Sequence, residues 1–88
     1  MSGRLRVSPD VAWVEDDGAV YLARVPEGPP LVLDGSGVLI WRALVAGGTV
    51  AEVRARVAAD AGVSPEVVAD DVTAFVARLV SGGLVDQH

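Results

Sequence analysis

Residues 31–53 read LVLDGSGVLIWRALVAGGTVAEV, and this stretch decides the fold. Leu31-Val32-Leu33 is short and apolar and follows Pro29-Pro30. It reads as a strand, and prolines that cannot donate to a ladder place it at a sheet edge. Asp34-Gly35-Ser36-Gly37 then makes a strand-to-helix turn, with Asp34 or Ser36 as the expected cap of the helix. Val38, Ile40, Trp41, Leu44 and Val45 make that helix apolar over much of its surface, as a central core helix should be. Gly47-Gly48 stops it. Thr49 and Glu52 stand at capping-box spacing and open a second helix.

Working outward, the two flanks complete the pattern. Upstream, Val11–Asp16 and Ala19–Arg24 alternate as strands do, and Asp17-Gly18 between them suits a tight hairpin turn. Pro26-Glu27-Gly28-Pro29-Pro30 is a loop by composition. Downstream, Val50, Val53 and Val57 recur at helical spacing until Gly62. Ser64-Pro65 opens a third helix, a hydroxyl cap followed by a proline whose missing N–H is harmless there. Its wide apolar stripe of Val68, Val72, Phe75, Val76, Leu79 and Val80 runs to Gly82-Gly83. Leu84-Val85 is expected to pack back or to form a short tail. The reading is α+β and winged-helix-like: a three-stranded antiparallel sheet followed by three helices, one domain over residues 1–88.

Composition removes several classes of function. With no cysteine, disulfides, thiolate chemistry and Cys-type zinc sites are excluded, and a reducing cytoplasm is the expected location. No apolar run approaches the ~20 residues of a membrane helix. Met1 to Asp10 lacks the apolar stretch of a signal peptide. The net charge is −5, spread evenly: three Arg against five acids in residues 1–33, four against seven in residues 34–88. No basic stripe is available to neutralise phosphates, so no nucleic-acid partner is expected. A winged-helix DNA reader is the main alternative. Its recognition helix would carry Glu66, Asp70 and Asp71 against Arg78 alone, with no Lys, Asn or Gln to read base edges. A structural subunit is the other alternative.

Catalytic constellations are missing. His88, the one histidine, is the last residue and reads as a frayed end rather than a general base. Asp16-Asp17 falls at the hairpin turn, and Asp70-Asp71 on a helix point about 100° apart, so neither pair chelates one ion. Gly35-Ser36-Gly37 lacks the pattern of a phosphate loop or a hydrolase elbow. The expectation is a chain that is no enzyme and binds no metal or cofactor.

In order and spacing, the segments resemble the PqqD-like family, whose members are recognition elements for ribosomally made, post-translationally modified peptides. The parts that carry it are the hairpin and the strand Leu31-Val32-Leu33 running into Asp34-Gly35-Ser36-Gly37. Ile40-Trp41-Arg42-Ala43-Leu44 and Gly47-Gly48-Thr49-Val50-Ala51-Glu52-Val53 follow. The last are Asp71-Val72-Thr73-Ala74-Phe75-Val76-Ala77-Arg78-Leu79 and Gly83-Leu84-Val85. The match spans about Val7 to Val85. Asp34 replaces the family's usual Asn, a conservative change at a helix start.

The resemblance implies a partner and a site. The leader segment of a precursor peptide would be gripped as an added strand against Leu31, Val32 and Leu33, beside the third helix. It would be presented to a maturation enzyme such as a leader protease, and the length resembles the stand-alone versions of lasso-peptide clusters. The start at Met1 and the lack of a trailing linker fit a stand-alone protein. An uncharged apolar edge is open to such augmentation on physical grounds too. Several ladder bonds at about 1 kcal/mol each and two or three apolar anchors exceed the ~8 kcal/mol of micromolar binding. On the third helix, Val72 and Phe75 are expected to floor the groove, with Val67 and Val68 beside them. Asp71 and Arg78 are expected at its rim, and Leu79 in the core.

Overall fold

The computed structural model describes residues 3–87, so His88 and its expected fraying lie outside the described residues. Four strands come first: β1 (Arg4–Val7), β2 (Val11–Asp16), β3 (Ala19–Arg24) and β4 (Leu31–Leu33). Helix α1 (Ser36–Val45), a two-residue β5 (Gly48–Thr49), α2 (Val50–Ala61), α3 (Pro65–Ser81) and β6 (Val85–Gln87) follow. The strands form two antiparallel three-stranded sheets, ordered β2-β3-β4 and β5-β1-β6. The first is the sheet the sequence predicts.

The second sheet was not expected. β1 pairs Leu5 with Gly48 on one side and with Gln87 on the other, so the chain's two ends and the turn between α1 and α2 are tied together. Leu5 and Val85 are almost fully buried there. Leu84-Val85 therefore does pack back: the Leu84 carbonyl accepts from Ser8 N–H at 3.0 Å, and Val85 enters the sheet.

The hairpin sets the register of the first sheet. Asp17 and Gly18 both have positive φ, 52° and 76°, as a two-residue type I′ turn requires. Asp16 and Ala19 flank it as a pair, followed by Glu15 with Val20, Val14 with Tyr21 and Trp13 with Leu22. Val20, Leu22 and Leu33 point inward and are buried, whereas Val14, Tyr21 and Val32 form a row on the outer face.

Trp41 of α1 sits at the centre of the core with no exposure, among Val20, Leu44, Val53 and Val72, which are equally buried. Trp13 covers it edge-on, ring centroids 5.8 Å apart at 76°. Arg42 ties α1 to β2 by donating to both carboxylate oxygens of Glu15, its Nε at 3.0 Å from Oε1. That pairing holds the Glu15 carboxyl below its ordinary range.

The helix caps divide. At α2 the capping box is complete: Glu52 N–H donates to Thr49 Oγ1 at 3.2 Å, and Thr49 N–H donates to Glu52 Oε1 at 2.9 Å. Gly62 ends the helix in the left-handed region, as expected. At α1 neither Asp34 nor Ser36 caps. Gly35 is the cap residue, and the backbone takes over: the Asp34 carbonyl accepts from Gly37 N–H at 3.0 Å, the Gly35 carbonyl from Val38 N–H at 3.2 Å. Ser64 is the cap residue of α3, but its hydroxyl makes no capping bond; its carbonyl accepts from Val67 N–H. Among the described residues, no helix is long and apolar enough to cross a membrane.

Candidate functional site

β4 borders β3 on one side and, among the described residues, no strand on the other. The hairpin shows which of its backbone groups are free. In an antiparallel ladder hydrogen-bonded and non-bonded pairs alternate, and the pair flanking a two-residue turn is bonded. Asp16 with Ala19 is therefore bonded, and so is Val14 with Tyr21. β3 then turns Val20 and Leu22 toward β4, where they pair with Leu33 and Leu31. Val32, opposite Tyr21, is left with its N–H and C=O aimed at the open edge. Pro30, two residues earlier, presents a carbonyl and no N–H.

Beside this edge runs a groove of about 250 Å³, walled by Leu31, Val32 and Leu33 on one side and by Phe75 and Arg78 of α3 on the other. Asp34, Ser36 and Gly37 close its end. Phe75 packs over the start of α1: a Cβ at Gly37 would meet its ring at 3.5 Å, an ordinary van der Waals distance. Phe75 is half-buried there, and the Arg78 guanidinium stands 6.0 Å from its ring centroid, at the limit of a cation–π contact. A second hollow of about 230 Å³ shares Leu31 and continues along Pro29 and Pro30 to Gly82 and Leu84. The second hollow is mostly apolar, whereas the first is mixed, with Asp34, Ser36 and Arg78 beside its apolar residues.

Five of the residues expected at the site come together: Leu31, Val32, Leu33, Phe75 and Arg78. Val72 does not join them. It has no exposed surface and packs in the core one turn before Phe75, so Phe75 alone floors the groove. Position 72 faces straight down the helix's buried stripe with Val76 and Leu79; Leu79 is core, as expected. Val67 and Asp71 are exposed and Val68 is half-buried, but none lines the groove. They continue the same side of α3 toward its start, Asp71 about 6 Å and Val67 about 12 Å from Phe75 along the helix. The sequence presents Asp34, Ser36 and Gly37 as turn and cap residues, not as part of the site. Small residues next to an edge strand, facing a helix with one aromatic, are the signal that would have placed them here.

Among the described residues no group of three or more His, Cys, Asp or Glu is placed to hold a metal ion. What the groove offers is an unpaired backbone pair, an apolar floor and one cation.

An α+β domain of the winged-helix kind, carrying an open sheet edge beside a groove of mixed polarity, is the class that fold and site define. The chain belongs to the PqqD family: the family model described as coenzyme PQQ synthesis protein D (PqqD) matches residues 25–85, more than half of its length. That match covers β4, all three helices and the start of β6, and so the whole groove. Among solved structures, the chain is similar to one described as TbiB1 in complex with the TbiA(beta) leader peptide. The identity is 26% and the TM-score 0.79, over 92% of this chain and 94% of that one. Comparison with curated proteins gives no match.

Proposed function

We propose that the chain binds the leader segment of a ribosomally synthesised precursor peptide and presents it to a maturation enzyme, as in lasso-peptide biosynthesis. The observation that carries this reading is the open edge of β4, with Val32 N–H and C=O free beside the Phe75 groove. A peptide laid along it as a further strand satisfies both groups, and its inward side chains meet Phe75 while Arg78 meets an acceptor. Val67, Val68 and Asp71 meet a peptide that continues past the strand along α3. Family membership and the likeness to a protein held with a leader peptide support the same reading. The chemistry belongs to the partner; the chain itself catalyses nothing and needs no cofactor. Its place of action is the cytoplasm, where precursor peptides are made.

The test is calorimetry with the leader of the precursor encoded beside this chain's gene. Wild type binds in the micromolar range or tighter, Asp71→Arg shifts the affinity while leaving the fold intact, and mass spectrometry finds the peptide unchanged. A leader that does not bind, or a peptide turned over by this chain alone, contradicts the reading.

A further inference from the structure

Arg24 is the one charged residue lining the second hollow, and neither the core nor the Phe75 groove uses it. Along β3 the inward positions are Val20, Leu22 and Arg24. The first two are buried in the core, and the third falls past its end, exposed. There the Arg24 side chain lies against the turn that ends α3, its Nη1 2.8 Å from where a Cβ on Gly83 would stand. It does not cap the helix. The carbonyls of Arg78, Leu79 and Val80 already accept from the backbone N–H groups of Gly82, Leu84 and Gly83. Among the described residues the Arg24 guanidinium makes no hydrogen bond and no ion pair, not even with Glu27 on the adjoining loop.

The register at the open edge says which part of a bound peptide reaches Arg24. A peptide residue paired with the outward N–H and C=O of Val32 turns its two sequence neighbours toward the inner face, whichever way the peptide runs. One neighbour stands opposite Leu33, beside Phe75 and Arg78; the other stands opposite Leu31, over the second hollow. The two hollows are therefore filled by side chains two positions apart in the peptide.

We propose that Arg24 sets the charge preference of the site: it takes a carboxylate, Glu before Asp, on the leader residue two positions from the one that meets Phe75. The proposal rests on the leader-binding reading given above. A strand laid on β4 covers the second hollow and takes Arg24 out of water. An apolar side chain there would leave the guanidinium covered and unpaired, which is costly. An acidic side chain on an aliphatic stem answers both parts of the lining: the stem packs on Pro29, Pro30, Leu31 and Leu84, and the carboxylate accepts from both arms of the guanidinium. The longer stem favours Glu. The Phe75 groove does not compete for the acid, because Asp34 and Arg78 stand in it together, one charge of each sign. The preference thus falls at one place along the strand.

The test is calorimetry on the full chain with the leader of the precursor encoded beside its gene, each leader Asp and Glu replaced by its amide in turn. One such replacement, at a single position, is expected to weaken binding by about tenfold. Arg24→Gln should weaken the unaltered leader by a like factor with an unchanged thermal midpoint, and both changes together should cost no more than either. Arg6→Gln removes the same charge from an exposed position of β1 and should bind as wild type does. The leader-side replacements read the same contact without touching the fold. The inference is overturned if folded Arg24→Gln binds as wild type does, if every amide replacement is silent, or if the two losses multiply. An equal loss in Arg6→Gln overturns it too, by tracing the effect to net charge. A wild-type chain that binds no leader sinks the leader reading as well, whereas wild-type binding that Arg24→Gln leaves unchanged sinks this inference alone.

Discussion

Glu52 accepts a hydrogen bond from the Thr49 backbone, and this bond, with that of the Thr49 hydroxyl, holds its carboxyl below the ordinary range. A depressed folded-state value means stability that is present above the unfolded carboxylate range and is lost as pH falls through the folded value. Glu52→Gln keeps the shape of the capping box but removes the titration. Its stability, followed by urea denaturation between about pH 5 and 3, should fall less steeply than that of wild type. Thr49 and Glu52 were legible as a capping box because the motif is local, with both bonds spanning three residues. Asp34 and Ser36 misled because the Gly35 turn lets backbone carbonyls serve the first N–H groups of α1. Phe75 is legible as part of the helix stripe, yet its place beside the open edge of β4 comes from tertiary packing, which no periodicity reveals. Phe75→Ala should lower leader affinity by about tenfold or more, the share of a buried aromatic anchor, read by calorimetry on folded protein.

Among the elements, β4 is the one whose reading bears most on function. Its three residues and the prolines before it announce an edge, and the edge is there. Val32→Pro removes the one N–H within β4 that points away from β3. Leader affinity should drop sharply while the thermal midpoint changes little, because no bond of the folded chain is lost. If affinity holds while the protein stays folded, the peptide does not add at this edge. The β5-β1-β6 sheet shows where sequence pattern stops. Its strands have four, two and three residues, too short for a period, and Gly48-Thr49 reads as a helix stop and a cap. Their pairing joins residues 4 and 49, and 5 and 87, contacts that local propensity does not encode. Leu5 makes that sheet testable. Buried against its neighbours, Leu5→Ala should lose about 2–5 kcal/mol in urea unfolding, whereas a residue on a loose N-terminal segment would lose almost nothing.

At the scale of the whole molecule, one sheet has a buried inner face and an open β4 edge. The inner face, with Trp41, Leu44, Val53 and Val72 against it, supplies the core and was readable from hydrophobic spacing. At the proposed site, the β4 edge, spacing gives the strand but not the backbone groups that point out of it. Those follow only from the I′ turn through the register. Backbone amide exchange, read residue by residue with and without saturating leader peptide, tests strand addition at β4 most directly. The account predicts that Val32 N–H, unbonded in the free protein, becomes strongly protected on binding, and that resonances of Phe75 and Arg78 shift with it. Unchanged exchange at Val32 in the saturated complex, or new protection along β2 instead, would contradict it.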